Sequence, residues 1–131
     1  MPMYRLLPVA CAFWCLASVG CQRPSNLPEL GHVTGRVTLN GEPVIDAEIQ
    51  FCPDNAKRSQ GTTDNQGRYK LFYGKDVNGA IVGQHTVVIM KSVGIGLEEV
   101  IPPEFNQRST LRREVKPGQN IIDIDLNGDG A

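Results

Sequence analysis

Histidine, tryptophan and cysteine are all scarce in this sequence, and each scarcity closes a route. His32 and His85 are the only two histidines. A zinc hydrolase needs a His and Glu pair at helical or loop spacing and a further His to close the coordination sphere. No such set can be assembled, so neither a catalytic metal nor any other cofactor is expected. The single tryptophan, Trp14, lies in the apolar N-terminal stretch. Sugar-binding sandwiches rely on exposed aromatic platforms, and only Phe72 and Phe105 remain as candidates for one. Charge is also nearly absent in net terms, with 13 basic and 14 acidic residues. No run of Lys or Arg forms a patch, so nucleic acid is not an expected partner. Finally, no stretch carries helical periodicity.

What the chain does have is glycine and proline, 14 and 9 of them in 131 residues, which predicts many turns and short elements. This length holds one small domain and a leader. At that size folding hides only about two-thirds of the chain's surface, which favours a solid packed interior over a large catalytic cleft.

The leader is read from residues 1–20. Arg5 carries the only side-chain charge, and Leu6 to Val19 is apolar or small throughout, the shape of a secretory signal. The apolar run is too short for a permanent span, which needs about 20 residues to cross a ~30 Å hydrocarbon core. Ser18-Val19-Gly20-Cys21 resembles a bacterial lipobox, although Ser18 stands where an aliphatic residue is usual. The resemblance implies that Cys21 becomes the acylated first residue of the exported protein. The alternative is ordinary cleavage between Ala17 and Gly20, leaving Cys21 as a free or disulfide-bonded thiol. Cys11 and Cys15 leave with the leader in either case, so Cys21 and Cys52 are too few for a disulfide framework. Residues 21–31 read as a flexible tether. Fully extended, Gln22 to Gly31 reaches about 33 Å.

From His32 the chain alternates with a period of two. Val33, Gly35, Val37 and Leu39 form one face, and Asn40-Gly41 marks a tight hairpin. The return strand has Ile45, Ala47, Ile49 and Phe51 inward, leaving Cys52 outward as a lone thiol at a strand end. In the next turn Asp64 is placed to accept backbone amides, with Gly67 left-handed. Tyr69, Leu71 and Tyr73 then alternate. Thr86 to Lys91 is apolar on both faces and should be a central strand. Final strands fall near Leu111 to Val115 and Ile121 to Leu126, joined by Lys116 to Asn120. This pattern predicts an all-β, antiparallel β-sandwich of about seven strands over residues 32–127, with residues 128–131 as a tail.

Three motifs resemble the carboxypeptidase regulatory-like domains: "GRVTLNGEPVIDAEIQF" (Gly35 to Phe51), "GTTDNQGRYKL" (Gly61 to Leu71) and "VGQHTVVI" (Val82 to Ile89). Pro102 to Leu126 is similar to the end of small bacterial lipoproteins that carry this domain. The resemblance implies a transthyretin-like (prealbumin-like) sandwich and a scaffold or interaction module, with His85 at a structural aromatic position. Hydroxyisourate hydrolases share that sandwich, but their Tyr-Arg-Gly-Ser terminus has no counterpart in "DLNGDGA", which makes a hydrolase the least favoured reading.

Two features remain. Asp123, Asp125, Asn127, Gly128 and Asp129 mimic the opening of a calcium loop, but the acidic residue at its twelfth position is missing, and Asp123 and Asp125 alternate with Ile122, Ile124 and Leu126 as the outer face of a strand. Between Ser92 and Glu104, Ile95, Leu97, Val100 and Ile101 either cap the core or present a contact patch. The expectation is a non-enzymatic module in the bacterial cell envelope. Its lipid anchor at Cys21 would hold it on the exported side of the cytoplasmic or outer membrane, where it would meet an unidentified envelope protein. A weak sugar or calcium ligand is the alternative.

Overall fold

The computed structural model describes residues 26–93 and 98–127. Among these are fourteen short strands and one 3₁₀ turn; twelve of the strands build two six-stranded sheets packed face to face, and the other two form a small separate pair. The axis of the first sheet is β1 (Leu30–Leu39), which starts two residues before the expected His32. Asn40 and Gly41, at φ 55° and 80°, turn the chain into β2 (Glu42–Pro43), which pairs with Leu39 and Thr38.

The expected full-length return strand does not form. After Val44, whose N–H reaches the Val37 carbonyl, Asp46 at φ 54° turns the chain into the second sheet. Val44 is therefore buried while Ile45 is only half-buried. The crossing is stitched by Thr63, whose hydroxyl accepts the Ala47 N–H at 2.9 Å and whose own N–H reaches the Ala47 carbonyl at 2.9 Å.

In the second sheet β3 (Glu48–Cys52) pairs with β4 (Ser59–Thr62). The segment expected as one strand through Tyr69, Leu71 and Tyr73 is divided. β5 (Arg68–Lys70) returns to the first sheet against Thr34 to Arg36, and β6 (Phe72–Tyr73) goes back to the second beside β4. Leu71 is the buried crossing point. β7 (Val77–Asn78) pairs with β6, and β8 (Ala80–Ile81) pairs with the start of β1. β9 (Gly83–Met90) lies between β3 and β12 (Arg112–Val115), the central place that its two apolar faces predict. A small pair, β10 (Ser92–Val93) and β11 (Glu98–Glu99), extends from it, and the 3₁₀ turn spans Pro103–Phe105.

Antiparallel pairing dominates, with two exceptions. β13 (Gly118–Ile121) and β14 (Ile124–Asp125) run parallel to β1. β13 begins inside the stretch read as a connector. Parallel neighbours need a long crossover, and here nearly the whole domain provides it. Gly35 makes the approach possible, because a Cβ there would stand 1.9 Å from the Ile122 carbonyl oxygen. The core between the sheets is built on Val33, Val37, Ile49, Phe51, Val87 and Ile89. Burying each such side chain contributes about 1.5–3 kcal/mol.

Candidate functional site

Strand register defines two ends of the sandwich. β8, which pairs with the start of β1, leads directly into the start of β9, and β9 pairs Thr86 with Cys52. The start of β1, the β3–β4 turn and the end of β12 therefore share one end. The Asn40-Gly41 turn and the β4–β5 turn lie at the other. Two open concavities on the described surface bear on function.

The larger groove, of about 1170 Å³, lies where β5 of the first sheet faces β4 of the second. Gly61 allows that approach, since a Cβ there would meet the Lys70 carbonyl at 2.2 Å. Arg36 and Arg68 stand directly opposite each other in the β1–β5 pairing, an unfavourable arrangement of like charges. Asp64 offsets it. One of its carboxylate oxygens accepts the Gln66 and Arg68 amides at 2.9 and 3.0 Å. These two bonds, helped by the charges of Arg68 and Arg36, hold the Asp64 carboxyl below the ordinary range. The turn residues Asp64 and Gly67 (φ 75°) thus fill their expected roles. The Arg36 Nε donates to the Gln66 carbonyl, also at 2.9 Å. Phe72 lines the groove with the Lys70 ammonium 5.8 Å from its ring, and Ile121, 81% exposed, stands near Asp123 on its rim.

The second concavity, of about 790 Å³, lies between the β3–β4 and β6–β7 turns. Its lining includes Cys52, Lys57, Arg58 and Lys75 and no acidic residue. Lys57 sits 5.1 Å from the Tyr73 ring centre. Burial pushes the Cys52 thiol pKa up, with the Arg58 guanidinium opposing. Sequence inspection missed this basic cluster because Lys75 is remote from Lys57 and Arg58 along the chain. The pairing of β6 with β4 brings them together. The absence of a linear Lys/Arg run was thus a poor guide to charge on the surface. The useful signal was the Lys57-Arg58 dipeptide in a turn.

The histidines are separated by burial. His32 is exposed on β1, whereas His85 is sealed in the core, with its Nε2 2.6 Å from the Ile81 carbonyl and its ring 5.6 Å from that of Phe51. Its Nδ1 and the Ser59 hydroxyl are buried without partners among the described residues. His85 is the packed imidazole its position implied.

Of the aromatic candidates, Phe72 is exposed, but Phe105 is buried where the 3₁₀ turn docks on the core and cannot serve as a sugar platform. The apolar loop also divides. Val100 is 44% exposed, Ile101 is buried and caps the core, and Ile95 and Leu97 lie outside the described residues. The contact-patch reading therefore does not hold for Ile101. Asp123 and Asp125 occupy the outer face as expected. One oxygen of Asp123 accepts the Arg36 amide at 2.9 Å, and one of Asp125 accepts the Asn127 amide at 3.0 Å. No group of three metal-ligating residues occurs among the described residues. Gly128, Asp129 and Cys21 lie outside them.

No protein-family model matches this chain, and no curated protein matches it. Among the solved structures similar in backbone course are the following two. One is a DUF3823 family protein from Parabacteroides merdae, with 14% identity and a TM-score of 0.46 over 75% of this chain and 46% of that one. The other is a 9R-lipoxygenase from Cyanothece, with 14% identity and a TM-score of 0.37 over 77% of this chain and 18% of that one. The chain thus spans less than half the length of either. The protein is an all-β sandwich.

Proposed function

We propose that this protein is a lipid-anchored, non-enzymatic module of the bacterial cell envelope with a structural or protein-interaction role. The lipobox-like Ser18 to Cys21 carries the reading, since it lies nine residues ahead of Leu30, where β1 begins. Such a spacing gives a short leash between an acylated cysteine and a packed domain. One acyl chain alone binds only marginally, and the several chains implied by a lipobox hold stably. His85 is committed to the core rather than to a surface site, which fits a scaffold better than a hydrolase. The kinship with carboxypeptidase regulatory-like domains suggested by the Gly35 to Ile89 motifs belongs to the same proposal.

The test is the mass of the mature N-terminal peptide together with fractionation. Acylated Cys21 and a membrane-bound protein are expected, with Cys21→Ser moving to the soluble fraction. An unmodified Cys21 or unchanged partitioning would overturn the anchor. Exposed Phe72 in the larger groove favours a second reading, a sugar-binding accessory module. Binding on a glycan array that is lost in Phe72→Ala would support it.

A further inference from the structure

The charges of the domain are sorted along the strand direction, as the strand register shows. At the end where β1 begins, Lys57, Arg58 and Lys75 converge on the basic pocket, and Lys116 follows β12. All four are exposed. Lys116 lies close to the start of β1, since a Cβ on Gly31 would stand 2.2 Å from the Lys116 carbonyl. Four acidic residues share this end. Asp54 is engaged by Arg112 at 3.3 Å, which leaves Glu29, Asp76 and Glu114, the last opposite Gln84 at the start of β9, against the four cations. None of the four has a carboxylate within ion-pair distance among the described residues. The opposite end carries Glu42, Asp46, Glu48, Asp64, Glu99 and Asp125, against Lys91 and the Arg36–Arg68 pair. Leu27, 40% exposed, precedes β1 at the basic end, and all the chain before Asn26 joins the domain there.

We infer that the basic end is a docking surface for anionic lipid headgroups, with the pocket between the β3–β4 and β6–β7 turns receiving a headgroup phosphate among Lys57, Arg58 and Lys75. This rests on the proposed anchor, which would bring that end to a membrane, and adds what the domain does on arrival. The sign of the field fits. A lipid surface bearing negative charge attracts the basic end and repels the acidic one, so the domain stands upright instead of tumbling on its leash. Each basic residue at such a surface strengthens binding about fivefold, and the effect falls away within a Debye length of about 8–10 Å. Leu27 adds an apolar contact at the same level.

The test uses the exported form, residues 21–131 with Cys21→Ser, so that no acyl chain contributes. Every core residue lies between Val33 and Leu126 and is retained in it. Co-sedimentation is measured with phosphatidylcholine vesicles and with vesicles of equal parts phosphatidylcholine and phosphatidylglycerol. Binding is expected only to the latter, weakening with added salt. The double variant Lys57→Ala/Arg58→Ala should bind about twenty-fivefold more weakly, and Lys91→Ala at the opposite end should bind as the parent does. Circular dichroism would confirm that these exposed substitutions leave the fold intact. Equal binding to both vesicles, no binding to either, an unchanged double variant, or binding to soluble polyglutamate in preference to lipid would each overturn the inference. Failure of the anchor is read separately, from the mass of the mature N-terminal peptide.

Discussion

The phenolic hydroxyl of Tyr69 donates to the Ile122 carbonyl at 2.5 Å, joining β5 to the C-terminal segment across β1. The Ile122 amide donates to Thr34 at 2.8 Å, and the Arg36 amide donates to Asp123 at 2.9 Å. Three bonds thus pin the segment between β13 and β14 to the middle of β1. Tyr69→Phe leaves the Ile122 carbonyl without its phenolic donor and should cost about 1–3 kcal/mol. Urea denaturation of the two proteins would measure it.

Tyr69 also sets an alkaline limit. Burial, aided by the nearby Asp123 charge, raises its pKa well above the ordinary 10.0. A group whose folded pKa is raised contributes stability below its unfolded pKa and loses it as pH rises through the folded value. Denaturation midpoints should therefore fall above pH 10.0, and the fall should be shallower in Tyr69→Phe.

Gly35→Ala should be more damaging than a surface glycine substitution. The new methyl would occupy space 1.9 Å from the Ile122 oxygen, so β1 and its parallel partners would have to separate. A loss of about 3 kcal/mol or more is expected, whereas Gly41→Ala meets no atom within 4 Å and is strained only by its φ of 80°. Thermal melts of both variants would separate close approach from backbone strain.

Asp64 gives the opposite pH dependence to Tyr69. Its pKa is lowered, first by the amides of Gln66 and Arg68, so its contribution is present above the ordinary carboxylate value of 3.8 and is lost as pH falls through the folded value. The stability gap between the native protein and Asp64→Ala should be widest near neutral pH and close in strong acid. A constant gap would show that the carboxylate's charge is not what holds the turn.

Cys52 reports on the basic pocket. Burial raises its pKa and Arg58 opposes that rise, so removing the guanidinium should raise it further. In a Cys21→Ser background, Arg58→Ala should slow alkylation of Cys52 by iodoacetamide at mildly alkaline pH. Equal rates would place Arg58 too far away to act on the thiol.

Much of the architecture was legible in the residues. The alternation around Val33 to Val37, the Asn40-Gly41 turn, the Asp64 turn and the central strand at Val87 to Ile89 all follow from local rules of period and turn chemistry. What local rules could not show was where the chain changes sheets. A strand that continues and one that crosses to the facing sheet both keep alternate residues inside, so Val44 to Ala47 and Leu71 gave no warning. Nor does alternation distinguish parallel from antiparallel partners at β13 and β14. The basic pocket was hidden for a related reason, because Lys75 reaches Lys57 and Arg58 only through a β4–β6 pairing that no short window contains.

The parallel placement of β13 and β14 along β1 has a mechanical meaning. Tension applied through the N-terminal segment enters at Leu30, and tension on the other side leaves near Leu126, whose amide bonds to Thr38 near the far end of the same strand. β1 spans about 30 Å at a rise of ~3.3 Å per residue. A pull between those points loads the ladder between first and last strands in shear, along its length and all together, instead of peeling it one bond at a time. A domain pulled between its N-terminal and C-terminal segments is therefore clamped by its first and last strands.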